Sequence, residues 1–195
     1  MKKLILAGLF AAACATPAWA AMPVGETAPD FTLKGSLAGK DFTFNLKTAL
    51  AKGPVVVYFF PSAFTGGCDA EAHAFAEDAD QFAAAGASII GVSADSVDRL
   101  HKFSADPAFC AGKFPVASDA DTKVAASYKL EVRPARPGAK DNKGQDLDHA
   151  FIERVTYVIG RDGKVLATMS STTDKLSPVE HVEKSLTMVK GLKKW

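Results

Sequence analysis

The sequence predicts an α/β domain with a central mixed sheet flanked by helices, and three observations predict it. Val55-Val56-Val57-Tyr58-Phe59-Phe60 is an unbroken run of β-branched and aromatic residues between Gly53-Pro54 and Pro61. A run without alternation suits a strand covered on both faces. From Asp69 the period changes: Ala72, Phe75, Ala76, Ala79, Phe82 and Ala83 recur at helical spacing until Gly86, with Glu71, Glu77, Asp78 and Gln81 between them. Near the end, Arg154 to Ile159 and Lys164 to Thr168 flank Arg161-Asp162-Gly163, a hairpin signal.

The elements between these follow the same alternation. Ala87 to Val92 reads as a strand, and Val97, Leu100 and Phe103 mark a short helix. Phe114 to Ala117 is a brief strand, followed by a helix over 120–128. Residues 131–150, rich in proline, glycine and charge, read as a long surface loop. Ser177-Pro178-Val179-Glu180 is a capping box with proline at the first helical position, and it opens a last helix carrying Val182, Leu186 and Val189. Helices crossing over between strands imply parallel pairing, and the late hairpin adds antiparallel pairing.

Residues 1–20 stand apart from this pattern. Lys2 and Lys3 precede an apolar stretch too short to span a bilayer, and Ala18-Trp19-Ala20 is a small-x-small cleavage site. The segment therefore reads as a signal peptide, with residues 21–195 forming one domain and an exported, periplasmic location expected. Cys14 leaves lipidation as an alternative. Of 195 residues, 175 remain after cleavage, with 21 Lys and Arg against 22 Asp and Glu, a net charge of about −1. That balance argues against nucleic acid or an anionic membrane as the main partner. No second apolar stretch of spanning length follows, so no membrane attachment is expected after cleavage.

Two cysteines, Cys68 and Cys110, remain in the processed chain. In an exported protein they suggest a disulfide, either a staple or part of a reaction. Cys68 falls where the strand gives way to the helix. There, free amide groups and the positive end of the helix dipole favour a thiolate. Thr65 could place a hydroxyl against the sulfur, and Gly66-Gly67 lets backbone amides approach; a cation from elsewhere would complete the activation. His73, His101, His149 and His181 are scattered without ligand spacing, so no metal is expected.

Pro61-x-x-x-Thr65-x-x-Cys68 resembles the active-site signature of the peroxiredoxins. The flanks agree: Ala28-Pro29-Asp30-Phe31-Thr32-Leu33 near the start, and Arg154 to Ile159 followed by Asp162-Gly163-Lys164-Val165. The resemblance covers nearly the whole processed chain and is nearest to the bacterioferritin-comigratory, or PrxQ-like, branch. It implies a thioredoxin-like fold and the reduction of hydrogen peroxide and small organic hydroperoxides without metal or other cofactor. It further implies that Cys68 is the peroxidatic cysteine, that Thr65 hydrogen-bonds the peroxide, that Pro61 shields the pocket and that Arg154 supplies the positive charge. A thioredoxin-like reductant of the exported compartment and a monomer or weak dimer complete the expectation.

One departure matters. Many PrxQ-like enzymes carry a second cysteine five residues after the first, and that position here is His73. Cys110, set among Pro107 and Gly112, is the remaining candidate for resolving the sulfenic acid, with an inert buried thiol as its alternative. A thiol-disulfide oxidoreductase or redox sensor on the same fold is the rival function. The former would place a Cys-x-x-Cys pair at this turn, and Thr65 stands where its first cysteine would be.

Overall fold

The computed structural model describes residues 21–192, so the proposed signal peptide, residues 1–20, lies outside the described residues. The first strands among the described residues form a hairpin that the apolar pattern did not announce: β1 (Thr32–Leu37) and β2 (Lys40–Asn45) pair antiparallel. A one-turn helix, α1 (Leu46–Leu50), follows, capped by the Asn45 side chain, which accepts from Thr48 N–H. Then come β3 (Val55–Phe59), α2 (Gly66–Ala84), β4 (Ser88–Ser93), α3 (Val97–Ala105), β5 (Val116–Ser118) and α4 (Lys123–Ser127). After them lie β6 (Val132–Arg133), β7 (Phe151–Ile152), β8 (Val155–Ile159), β9 (Val165–Ser170) and α5 (Pro178–Gly191).

Seven strands form the central sheet in the order β2-β1-β5-β4-β3-β8-β9. β3, β4 and β5 run parallel, and β8 joins β3 antiparallel. The mixed α/β sheet is therefore as expected, and its arrangement is thioredoxin-like. Central β3 shows why its sequence lacks alternation. Val56 and Tyr58 pack with Phe75 and Phe82 of α2 and with Val182 of α5. Val55, Val57 and Phe59 pack on the other side with Phe31, Leu46 and Tyr128. Both faces are covered, so every position is apolar.

The remaining elements differ at their ends. α2 starts at Gly66 rather than Asp69, which places Cys68 inside its first turn. Gly86, at φ +76°, lies two residues past its last turn, where only glycine is free of strain. The helix expected over 120–128 is confined to Lys123–Ser127, because Thr122 takes a left-handed conformation at φ +56°. The Asp119 carboxylate then accepts from Val124 and Ala125 N–H at 3.1 and 2.7 Å, supplying the cap from further back. The brief strand expected over 114–117 lies instead at Val116–Ser118. The loop over 131–150 is closed at its base by β6 and β7, where Val132 faces Ile152. At the C-terminal helix both halves of the capping box are formed by Ser177 and Glu180.

Candidate active site

The site grows from the end of β3. Phe60 N–H still donates to Val92 O at 3.0 Å, and Pro61, which has no N–H, ends the ladder. The chain then turns. Ala63 N–H donates to the Asp95 carboxylate at 2.8 Å, and Phe64 adopts φ +59°, a left-handed conformation that costs a bulky residue roughly 1–2 kcal/mol. Thr65 is extended and caps α2, so Gly66, Gly67 and Cys68 are its first three residues. Their amides are among those a helix leaves unpaired.

Four residues singled out in the sequence meet here. Arg154, the residue before β8, donates from Nη2 to Cys68 Sγ at 3.1 Å. The Thr65 hydroxyl also acts on the sulfur and is anchored by donating from Oγ1 to Ser62 O at 2.7 Å. A Cβ on Gly67 would stand 3.3 Å from Arg154 Nη2 and from Pro178 Cγ, so glycine leaves the guanidinium its approach. Pro61, Thr65 and Arg154 line a cleft of about 460 Å³, whose apolar wall comes from Ala139, Leu147 and Phe151.

The electrostatics are mixed. Burial pushes the Cys68 thiol above its ordinary value; Arg154 opposes this most, followed by the Thr65 hydroxyl. The helix end and the cation anticipated from sequence are thus in place, but the loss of water around the sulfur is the larger influence. Glu71 explains part of the balance. It was expected among the polar positions of the helix, yet it is fully buried one turn after Cys68 and paired with Arg154 Nη1. Burial raises its carboxyl to about 7, again against Arg154. A protonated Glu71 leaves the charge of Arg154 to the sulfur, and an ionised one shares it.

His181 of α5 is buried beside Glu71. Its Nδ1 lies 2.9 Å from Thr156 Oγ1 and its Nε2 3.0 Å from Ser171 Oγ. Burial, helped by Arg154, lowers it to about 4, so the ring is neutral at ordinary pH. Glu71 Oε1 is 3.9 Å from His181 Nδ1 and has no hydrogen-bond partner among the described residues. Neither Glu71 nor His181 was expected from the sequence. Glu71 had a signal, since three residues past Cys68 is the same helix face; His181 had none.

Cys110 is not bonded to Cys68, and both thiols are free and buried. It sits in the turn after α3, beside Ala111 at φ +49°. Burial pushes its thiol well up, and Asp106 and Asp69 add to the effect. His73 is exposed and paired with Glu77 at 3.6 Å, on the solvated helix face. His149 has a place the sequence did not reveal: its Nε2 lies 3.0 Å from Ser62 Oγ and 2.9 Å from the Asp95 carboxylate. Among the described residues, no three His, Cys, Asp or Glu side chains converge on a metal position.

Comparison with known proteins agrees with this geometry. The model of the AhpC/TSA family matches residues 24–168. Peroxiredoxin Bcp of Bacillus subtilis is 30% identical over 170 residues, which cover 87% of this chain and 96% of that protein. The solved structure of peroxidoxin BcpB from Mycobacterium tuberculosis superposes with a TM-score of 0.71 at 30% identity, over 89% of this chain and 99% of its own. The bacterioferritin comigratory protein of Xanthomonas campestris, whose structure concerns alkyl peroxide reduction, gives a TM-score of 0.61 at 30% identity, over 81% and 90% of the two chains.

Proposed function

The chain belongs to the AhpC/TSA family and is a thiol-dependent peroxidase of the peroxiredoxin Q type, and on that premise we propose that Cys68 is the thiol that meets the hydroperoxide. The 3.1 Å contact from Arg154 Nη2 to Cys68 Sγ, in the first turn of α2, carries this reading. The Cys68 thiolate attacks the terminal peroxide oxygen. The S–O bond forms as the O–O bond breaks, and the leaving oxygen takes a proton and departs as water or an alcohol. Arg154 stays charged throughout and meets the negative charge that builds on the leaving oxygen. Thr65 orients the peroxide, and Pro61 walls the cleft.

Cys110 is the resolving residue in this proposal. Its sulfur bonds to that of the Cys68 sulfenic acid, the S–O bond breaks, and the oxygen leaves as water with the thiol proton. A thioredoxin-like dithiol donor then reduces the disulfide. Hydrogen peroxide and small organic hydroperoxides both fit a cleft of about 460 Å³. The basic start, short apolar stretch and Ala18-Trp19-Ala20 of the leader support export, and a periplasmic home requires a donor of that compartment. We place the enzyme there as a monomer or weak dimer. An N-terminus at Ala21 in the periplasmic fraction checks the location.

The test of the chemistry is the mass of the reduced, processed protein after one equivalent of hydrogen peroxide, with peptide mapping. We expect a Cys68–Cys110 disulfide that reverses with dithiol. Cys68→Ser is expected to abolish peroxide consumption, and Cys110→Ser to leave Cys68 as a sulfenic or sulfinic acid. An oxidised Cys68 with Cys110 untouched in the wild type removes Cys110 from the cycle. An unreactive Cys68 overturns the whole reading.

A further inference from the structure

Residues 139–149, in the loop between β6 and β7, touch both cysteine-bearing segments at once. On the Cys68 side, Asn142 N–H donates to Phe64 O at 2.9 Å and Asn142 Nδ2 donates to Asp69 Oδ2 at 3.0 Å. His149 reaches Ser62, as described above, and Arg99 donates from Nη2 to both Ala63 O and Asp141 Oδ2, at 2.8 and 2.7 Å. On the Cys110 side, Lys143 Nζ donates to Asp106 Oδ2 at 3.1 Å. The same ammonium lies over the Phe64 ring at 4.0 Å and the Phe109 ring at 5.6 Å from their centroids. Phe64 and Phe109, which meet edge to face at 5.5 Å, belong one to each segment.

We propose that this strap, with Lys143 as its central positioning residue, holds both cysteine segments in their peroxide-ready places and thereby sets the rate at which the disulfide forms. The inference rests on the assignment of Cys110 as the resolving residue. A disulfide brings two sulfurs to about 2 Å with Cα atoms usually 4.4–6.8 Å apart. Both sulfurs start buried and unbonded, so forming the bond requires their segments to shift from the positions they hold here. Leaving breaks the contacts of Lys143 with Phe64 and Phe109, since it separates that pair from its shared cation. It also breaks the Asn142 bond to the first turn of α2. Two left-handed, non-glycine residues, Phe64 and Ala111, sit within these same segments and lose their strain on opening. The strap opposes that release. Asn142 and Lys143 do not line the peroxide cleft, so their contacts act on the second step of the cycle and leave the first alone.

The step itself balances without an added oxidant. The Cys68 S–O bond breaks, the S–S bond forms, and the sulfenic oxygen leaves as water with the Cys110 proton. The experiment follows both steps by rapid quenching after one equivalent of hydrogen peroxide, with thiol alkylation and mass analysis. For Lys143→Ala we expect loss of reduced Cys68 at the wild-type rate and disulfide appearing about two- to fivefold faster, the size that one exposed cation–ring contact carries. Lys143→Arg, which keeps the cation, should restore the wild-type rate, whereas a merely structural lesion would not distinguish the two. Asn142→Ala, which frees the Cys68 side only, should also speed the disulfide. Disulfide that forms at one rate in wild type and both alanine variants overturns the strap and leaves Cys110 as resolver. No Cys68–Cys110 disulfide in the wild type overturns the resolver, and the strap proposal with it.

Discussion

Cys68 and Cys110 are 2% and 0% exposed, yet the two sulfurs keep different company. Around Cys68 stand a guanidinium, a hydroxyl and the free amides of a helix start. Cys110 belongs to the same buried apolar cluster, but the charged groups that act on it are the acids Asp106 and Asp69. Burial alone pushes any thiol up; what differs is whether something nearby pulls it back. The difference suits two jobs. The first sulfur must be able to ionise next to a peroxide, and the second must stay a thiol until a sulfenic acid is presented to it.

The largest test of that contrast removes the cation. Arg154→Met removes the largest influence that opposes burial at Cys68, leaving the Thr65 hydroxyl and the helix start and bringing its surroundings nearer to those of Cys110. Loss of a donor to the reacting oxygens should lower the rate constant for peroxide by about 10²–10³. Because the thiol would also move further up, the rising limb of the rate against pH should shift to higher pH. Competition kinetics from about pH 5 to about pH 10 read both effects, a range that runs past the ordinary thiol value of about 8.5. A fall of less than about tenfold, small against the loss of a typical charge-stabilising donor, would mean that the helix end and Thr65 suffice, and the contrast would rest on them.

How far the sequence exposed this contrast depends on where each part lies. Pro61, Thr65 and Cys68 fall within eight residues, and a proline, two glycines and a lone thiol at a change of period are visible in any such window. Arg154 is 86 positions from Cys68, and only the resemblance to peroxiredoxins connected the two. Glu71 was missed for a different reason: a carboxylate between apolar helix positions reads as the wet face, and its one signal, the three-residue spacing from Cys68, acquires meaning only beside the buried arginine. The first hairpin was lost to packing. A Cβ on Gly35 would stand 2.1 Å from Val116 O, so the sheet takes small residues where β5 pairs with β1, and the apolar alternation of a strand disappears. The strap left no mark in the sequence, because its anchors Ser62, Asp95, Arg99 and Asp106 are spread over segments that no periodicity links.

A second test sharpens the charged side of the comparison. Glu71 holds its proton up to about pH 7 in the fold, against an ordinary 4.5. Its folded value is raised, so its contribution to stability is present below pH 4.5 and lost as the pH rises to about 7. His181, held down to about 4 from 6.5, works the other way, and its contribution is lost as the pH falls through that range. In the wild type the two slopes oppose each other. Glu71→Gln removes one of them, so the stability of the variant relative to wild type should climb between pH 4.5 and 7. At about 1.4 kcal/mol per unit of pKa, the climb is on the order of 3 kcal/mol. Urea unfolding at several pH values measures it. A difference that stays constant would mean that Glu71 is ionised throughout and always shares the charge of Arg154.

The smallest expected effect concerns the apolar cluster that the two sulfurs share. Tyr58 of β3 belongs to the same buried cluster as Cys68 and Cys110, its ring stacked on Phe75 at 4.6 Å and Phe60 at 5.4 Å. Its hydroxyl has no hydrogen-bond partner among the described residues. The ring presses so close to β4 that a Cβ on Gly91 would lie 2.6 Å from the hydroxyl, which is why glycine stands there. An unpartnered buried hydroxyl is a net cost, so Tyr58→Phe should be neutral or stabilising by about 1 kcal/mol, with disulfide formation unchanged. If the variant is instead destabilised, or forms its disulfide more slowly, the hydroxyl bonds to a sulfur during the cycle. Cys110 would then not be the thiol without polar help, and the difference between the two cysteines would narrow to the guanidinium and the helix end.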